Sequence, residues 1–496
     1  MLTAYLLYVF ASIVVLIYFY LNNKYKYWKN KNIAGPEPEF LFGNLKESFH
    51  RRKHIATVFK EIYDQYPDEK VVGMFRMTSP TLIVRDLDIV KQIMIKDYAK
   101  FNERGIKFSK EGLGDNLFHA DADAWKAVRS HLTPMFSSGK LKNMVRVLSQ
   151  TGDRFVDHVT NEVRLRPEQE LVSLFLKYNI ATIMACSFSM ETDINDMQVY
   201  EMLNVAVFEN SYISELDMVF PGILRKTNRS IFGPTVNNFC YEIVEFIKNE
   251  RNGKPANRND MMDMLLGVNC DKLKMKNGSE DFVEITEHVM AGQVFVFFAA
   301  GYVNNTITLT FSLYHLAKDQ SIQERLMREI ETVLENHNNV LTLEAINEMS
   351  YLEMIFLETL RMHPTTNTLQ RSALEDYTIP GTDIEIEKGT LVLIPPLAFH
   401  HDEKIYPEPE KFDPGRFSVE NHKSRHACAF LSFGIGPRTC IGIRLAKLQY
   451  KVCMVKFLTK YRVAPSTRTK DAYKIDPLRT ALEPEGGVYV DILPRS

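Results

Sequence analysis

The run Phe433-Gly434-Ile435-Gly436-Pro437-Arg438-Thr439-Cys440-Ile441-Gly442 carries the strongest chemical signal in this chain. A glycine-rich loop delivers a cysteine to the start of a helical stretch. Backbone N–H groups freed by such a loop can point at sulfur, and a helix N-terminus favours negative charge, so the site suits a thiolate. The six cysteines are Cys186, Cys240, Cys270, Cys428, Cys440 and Cys453, scattered and without Cys-x-x-Cys spacing. That spacing argues against a disulfide framework or a structural zinc site. A lone thiolate can instead be the axial ligand of a haem iron, where it pushes electron density toward O–O cleavage. In that role Phe433 shields the sulfur, Gly442 lets the helix approach a flat macrocycle, and Arg438 pairs with a propionate. The alternative is a buried structural cysteine, the role expected of the other five.

Two further spacings put partners on one helix face. Glu358 and Arg361 stand at i and i+3 and can pair, although a surface ion pair would look the same. Trp125 and Arg129 stand at i and i+4, and indole and guanidinium donors together suit a carboxylate. Taken alone, a purely structural tryptophan is the better reading of that pair.

Taken with the cysteine loop, these positions resemble the cytochrome P450 monooxygenases along nearly the whole chain. The family's haem loop reads F-x-x-G-x-R-x-C-x-G, and Phe433, Gly436, Arg438, Cys440 and Gly442 fill every fixed position. Glu358 and Arg361 match its E-x-x-R element, and Pro409-Glu410-Lys411-Phe412-Asp413-Pro414-Gly415-Arg416-Phe417 matches P-x-x-F-x-P-x-R-F. The resemblance implies haem b (iron protoporphyrin IX) as cofactor, with Cys440 as the iron ligand and Phe433, Gly434 and Gly442 beside it. It places Trp125, Arg129, Arg371 and Arg438 on the propionates. It also implies a structural triad, Glu358, Arg361 and Arg416, that holds the Cys440 loop.

Above the iron the family pattern is A-G-x-[D/E]-T-[S/T]. Here the run is Ala300-Gly301-Tyr302-Val303-Asn304-Asn305-Thr306. Ala300 and Gly301 match and leave room for dioxygen. Val303 replaces the acid and Asn304 the alcohol of the proton-relaying pair. Asn304 can hydrogen-bond and order water, whereas valine cannot carry a proton. Asn304 and Thr306 are expected over the distal face, with Asn305, Thr306 or ordered water as substitutes in the relay. Substrate contacts are expected from residues 101–118, 207–220, 297–304, 365–369 and 480–482. For Thr365-Thr366-Asn367-Thr368, a ligand contact and a plain bend are equally good readings.

These residues must be positioned by a mainly α fold with a minor β-sheet (α+β). The resemblance makes it a P450 fold: a single large haem domain behind an N-terminal membrane anchor helix. Residues 289–317 contain no Asp, Glu, Lys or Arg. Their many Asn, Thr, Gln and Ser side chains are costly in lipid, so a buried core helix about 40–45 Å long is expected rather than a membrane span. Helical periodicity prevails over residues 125–360, and residues 441–461 form a further helix. Strand-like runs occupy 71–77, 81–84, 379–394, 473–475 and 488–492, and 101–123 reads as a long loop.

Residues 2–21 are apolar and uncharged, about the length that spans a bilayer as a helix. Lys24, Lys26, Lys29 and Lys31 come next, with Tyr25, Tyr27 and Trp28 between them. That flank favours a retained signal-anchor over a cleaved signal peptide and leaves the remainder of the chain in the cytosol. The expected organisation is an anchor over 1–22, a basic and Pro-containing linker over 23–40, and a catalytic domain over 41–496. The expected place is the endoplasmic reticulum membrane (microsomal), single-pass, with the domain on the cytosolic face. Basic and acidic residues number 60 and 62, net −2. That balance argues against nucleic-acid binding by bulk charge.

The combined reading is a membrane-bound haem-thiolate monooxygenase that inserts one atom of O2 into lipophilic organic substrates. The chain has no G-x-G-x-x-G strand–helix fingerprint of its own. Electrons are therefore expected from NADPH through NADPH–cytochrome P450 reductase, with cytochrome b5 as a second candidate partner. Lys126, Arg425, Arg444 and Lys447 are candidates for a basic docking face, with solvated surface charge as the alternative. Residues 406–412 and 484–487 resemble insect microsomal members that handle plant toxins and insecticides. Two rivals stay open: a haem-thiolate isomerase or dehydratase acting on peroxides without NADPH, which Val303 motivates, and a catalytically silent haem protein that binds hydrophobic ligands.

Overall fold

The charge-free run becomes a helix of 32 residues, Glu287–Lys318, and the main helical core forms around it. Thr286 caps it, its hydroxyl accepting from the Val289 N–H. Helices Leu171–Phe188, Pro234–Glu250, Ser350–Met362 and Ile443–Leu458 pack against it. Leu171–Phe188 is also long and apolar enough to cross a membrane, yet both helices have most of their surface buried inside the protein. Protein partners on most faces explain the absence of a polar stripe. In this computed structural model residues 1–195, 198–209, 212–258, 260–268, 272–274 and 282–495 are described; Cys270 lies outside them.

A four-stranded sheet runs in the order Val71–Arg76, Ser79–Val84, Leu391–Ile394, Leu369–Ser372. Its middle pair is parallel, with Thr81 opposite Leu391, and its outer pairs are antiparallel. A second sheet joins Tyr461–Pro465, Tyr489–Pro494 and Glu168–Glu170. The strand expected at 473–475 is absent; Ile475 makes only an isolated bridge to Pro484. The strand lies instead at Tyr461–Pro465, where Tyr461 and Val463 alternate inward directly after the Ile443–Leu458 helix. A short hairpin, Lys272–Lys274 with Phe282–Glu284, interrupts the expected helical run. The expected loop over 101–123 contains one turn, Lys110–Gly114, with Leu113 in the left-handed region at φ 68°.

A smaller core forms between the four-stranded sheet and the N-terminal segment. Leu431 belongs to this core and Leu445 to the helical one. The cysteine loop between them therefore spans the junction of the two cores. At the N-terminus, helix Leu2–Lys24 leaves residues 2–20 exposed, an apolar surface of the kind lipid covers. Just beyond it the chain docks. Trp28 is 3% exposed, its Nε1–H donates to Met74 O at 2.8 Å, and its ring fills the space a Cβ on Gly73 would need.

Candidate active site

The Cys440 loop is shaped by its glycines. Gly434 and Gly436 have φ of 65° and 71°, and a Cβ on Gly436 would lie 2.1 Å from Met94 O, so only glycine fits there. The Cys440 N–H donates to Phe433 O at 2.8 Å and closes the loop. The Thr439 hydroxyl reaches Gly434 O at 3.2 Å. Beyond it the Gly442 and Ile443 N–H groups hydrogen-bond the sulfur at the start of the following helix. Cys440 is open only to an interior cavity and lies deep beneath the molecular surface. Burial accordingly pushes its thiol up, while those two N–H groups and the Arg129 and Arg104 guanidiniums pull it down. Cys186, Cys240, Cys428 and Cys453 are simply buried.

The loop is held from behind. Arg361 donates to both carboxylate oxygens of Glu358, at 2.8 and 2.9 Å, and both side chains are fully buried. Arg416 approaches Glu358 at 3.4 Å, and the Asp413 N–H donates to the same carboxylate. Burial raises the Glu358 carboxyl, against the hydrogen bonds and charge of Arg361. Arg361 also donates to His400 O at 2.8 Å. The His400 ring passes the contact on: its Nε2 accepts from the Leu431 N–H at 2.9 Å, and its Nδ1 sits 3.1 Å from Arg361 O. That arrangement assigns the proton to Nδ1 and requires a neutral ring. Burial holds His400 at about 3. The Ser432 hydroxyl donates to Leu360 O, a second tie. Glu358, Arg361 and Arg416 thus meet as expected; His400, the link from that cluster to the loop, has no spacing signature in the sequence.

In front of the sulfur lies a cavity of about 1410 Å³, counting its open mouth. Phe433, Gly434, Cys440 and Gly442 line one side; Ala300, Gly301, Asn304, Asn305 and Thr308 line another. Trp125, Arg129, Arg371 and Arg438 converge on it, joined by Arg104, which lies in the long loop and has no motif to announce it. The Arg438 guanidinium stacks on Trp125 at 4.3 Å, and Arg104 on Phe118 at 3.8 Å. Arg438 also donates to Ala120 O. Among the described residues, the buried Nε atoms of Arg104, Arg371 and Arg438 have no hydrogen-bond partner. Burial, compounded by the neighbouring guanidiniums, pulls Arg104 well below its ordinary range and Arg371 down to about 10. Four crowded cations, three of them with an orphaned Nε, fit an anionic group, and a haem with two propionates is such a group.

The distal helix departs from expectation at one residue. Thr306 does not line the cavity; it faces the Leu171–Phe188 helix, its hydroxyl donating to Tyr302 O and accepting from Asn179 Nδ2 at 3.1 Å. At about 100° per residue, 300, 304 and 308 share a face that 306 cannot. Asn304 Nδ2 donates to Ala300 O at 3.0 Å, and Thr308 Oγ1 donates to Asn304 O at 2.7 Å. Val303 is buried in the helical core. Gly301 also permits close packing, since a Cβ would meet Ile183 at 2.4 Å.

Of the expected substrate stretches, Leu117, Phe118, Phe297, Thr365, Thr366 and Leu369 line the cavity. Among the described residues, none of 207–220 or 480–482 does; these two stretches pair with each other through the Thr480 N–H and Phe208 O. Of the basic candidates for docking, Lys447 pairs with Glu353, Arg444 donates to Phe136 O and Ser138 Oγ, and Arg425 stacks on Tyr406. Lys126 remains exposed.

A mainly helical fold with a buried cysteine loop, a carboxylate–guanidinium cluster behind it and an arginine-rimmed cavity before it defines a haem-thiolate protein. The chain belongs to the cytochrome P450 family, matching its pattern over residues 33–489. It is 43% identical to Cytochrome P450 6B1 of Papilio polyxenes, covering 99% of this chain and 100% of that one. It is 44% identical to Cytochrome P450 6B6 of Helicoverpa armigera, with 98% of each covered, and 32% identical to Probable cytochrome P450 6a23 of Drosophila melanogaster, again with 98% of each covered. Membership makes it a monooxygenase, an oxidoreductase that uses haem.

Proposed function

We propose that this protein inserts one oxygen atom of O2 into lipophilic organic molecules, plant toxins and insecticides among them. Its electrons come from NADPH through NADPH–cytochrome P450 reductase, with cytochrome b5 as an auxiliary donor. It works on the cytosolic face of the endoplasmic reticulum, held by residues 1–22, while 23–40 link that anchor to a catalytic domain over 41–496. The observation that carries the reading is a buried sulfur, fed by two backbone N–H groups, facing a cavity rimmed by guanidiniums, three of which keep an unpartnered Nε among the described residues.

Cys440 would hold the iron of haem b, and Trp125, Arg104, Arg129, Arg371 and Arg438 would hold its propionates. When bound, the haem supplies the iron chemistry that reduces dioxygen and transfers one of its atoms. Phe433, Phe356, Phe297 and Phe118 exclude water from the cavity and receive apolar substrate. Ala300 and Gly301 keep the helix surface small where dioxygen must fit. Asn304 spends its amide N–H on Ala300 O and leaves Oδ1 to accept from a water. That water, rather than a carboxylic acid, hands on the proton, because Val303 has none.

The test is reconstitution with the reductase, NADPH and labelled dioxygen over a lipophilic panel. The proposal expects NADPH-dependent products carrying one labelled atom. Turnover of a hydroperoxide without NADPH would replace it with isomerase or dehydratase chemistry. Ligand-induced spectral shifts without product would leave a silent binding protein.

A further inference from the structure

Leu117 and Phe118 form part of the cavity wall, yet they lie in neither helix nor strand. Something else must fix them. Gln293, on the core helix, is fully buried and spends its whole amide on this loop and its own helix. Its Oε1 accepts from the Leu117 N–H at 3.1 Å; its Nε2 donates to Asp115 O at 3.0 Å and to Val289 O at 3.2 Å. One residue earlier, Gly292 lets the loop lie directly on the helix, since a Cβ there would stand 2.9 Å from Asp115 O. Asn116 finishes the turn, its Oδ1 accepting from the Phe118 and His119 N–H groups. The other end is tied by Arg438, which reaches Phe118 O at 3.5 Å and Ala120 O at 3.2 Å.

All of Gln293's partners in the loop are backbone atoms. It therefore sets where the wall stands, whatever side chains residues 117 and 118 carry. We propose that Gln293 is a specificity-determining positioning residue: by holding the 115–118 backbone on the core helix, it fixes how close Leu117 and Phe118 come to a lipophilic substrate. It selects by shape, without touching the substrate. This rests on the monooxygenase reading above.

The test uses the full-length, haem-loaded protein and two probes, imidazole and 4-phenylimidazole, titrated by the change in the haem spectrum. Gln293→Met keeps the volume and removes the three hydrogen bonds. Gly292→Ala keeps Gln293 and pushes the same loop by sterics. In both variants imidazole should bind within about twofold of wild type, because it needs only the iron. The phenyl derivative should change affinity about tenfold, because its ring meets the wall. The reduced, carbon-monoxide-bound spectrum should stay thiolate-type, and the product distribution from an oxidised substrate should broaden. An unchanged ratio of the two affinities in either haem-loaded variant would overturn the proposal. Loss of haem from both variants would also overturn it, since wall position would then be inseparable from cofactor binding. A wild type that forms no NADPH-dependent product refutes the monooxygenase reading alone, because the two titrations need no turnover.

Discussion

The two sides of the cavity obey the family pattern to different degrees. On the cysteine side every fixed residue is present and every one has a physical task. The loop turns on Gly434 and Gly436, two N–H groups serve the sulfur, and a buried network reaches the loop through His400. On the helix side the small residues remain, but the proton-carrying pair has become Val303 and Asn304. The difference teaches that holding the cofactor and feeding it protons are separable demands. The first needs a continuous rigid network and tolerates little change; the second can be met by ordered water.

The comparison is broken most severely behind the loop. Glu358→Gln leaves Arg361 buried opposite a neutral group, with an expected cost of about 3–5 kcal/mol. It should be seen as lost haem content and a lower melting temperature in the purified protein. Asn304→Ala, on the other side of the cavity, should leave haem content unchanged.

Removing Trp28 is next in size. Deleting residues 1–24 should abolish integral membrane insertion and leave haem binding intact. Extending the deletion through Trp28 uncovers Gly73 and Met74 O. The cost is about 3 kcal/mol by analogy with buried tryptophan truncations. Thermal unfolding of the two truncations compares them; equal melting temperatures would contradict the docked position of Trp28.

Acid should act on the cysteine side. Burial holds His54 at about 4 and His119, His315 and His400 at about 3, against an ordinary 6.5. Between those values the unfolded chain binds protons that the folded protein refuses. Stability is thus complete above about pH 6.5 and falls as the pH drops toward 4. Unfolding free energy and haem retention measured from pH 8 to 4 should decline together, because a protonated His400 can no longer accept from the Leu431 N–H.

The smallest effect sharpens the helix side. Val303→Glu with Asn304→Thr restores an acid and an alcohol. It should lower the peroxide released per NADPH consumed about two- to tenfold, below the roughly 10²–10⁴-fold a general acid–base group contributes, because water already serves part of the relay. The new carboxyl lies in an apolar core, so some stability is lost. Equal leakage in a haem-loaded double variant would show that Asn304 and water already suffice.

The cysteine loop and Glu358–Arg361 were legible because their meaning is local: a few residues with fixed spacing set both turn and charge. The core helix was legible from its missing charges. Arg104 was not, because its role arises only when the irregular loop folds against Arg371 and Arg438. Gln293 looked like one polar residue among many in an apolar run. Thr306 follows the helical period rather than the motif, which puts residue 306 about 200° around the helix from 304. The strand at Tyr461–Pro465 was hidden because it comes only two residues after the preceding helix.

The central claim is that Cys440 alone supplies the thiolate for a bound haem. The direct measurement is the spectrum of the reduced, carbon-monoxide-bound protein, wild type against Cys440→Ser. The wild type should show the thiolate-type band and the variant should lose it, because a serine hydroxyl is far less acidic and a poorer donor to iron. A haem-loaded Cys440→Ser variant that keeps the band would contradict the account.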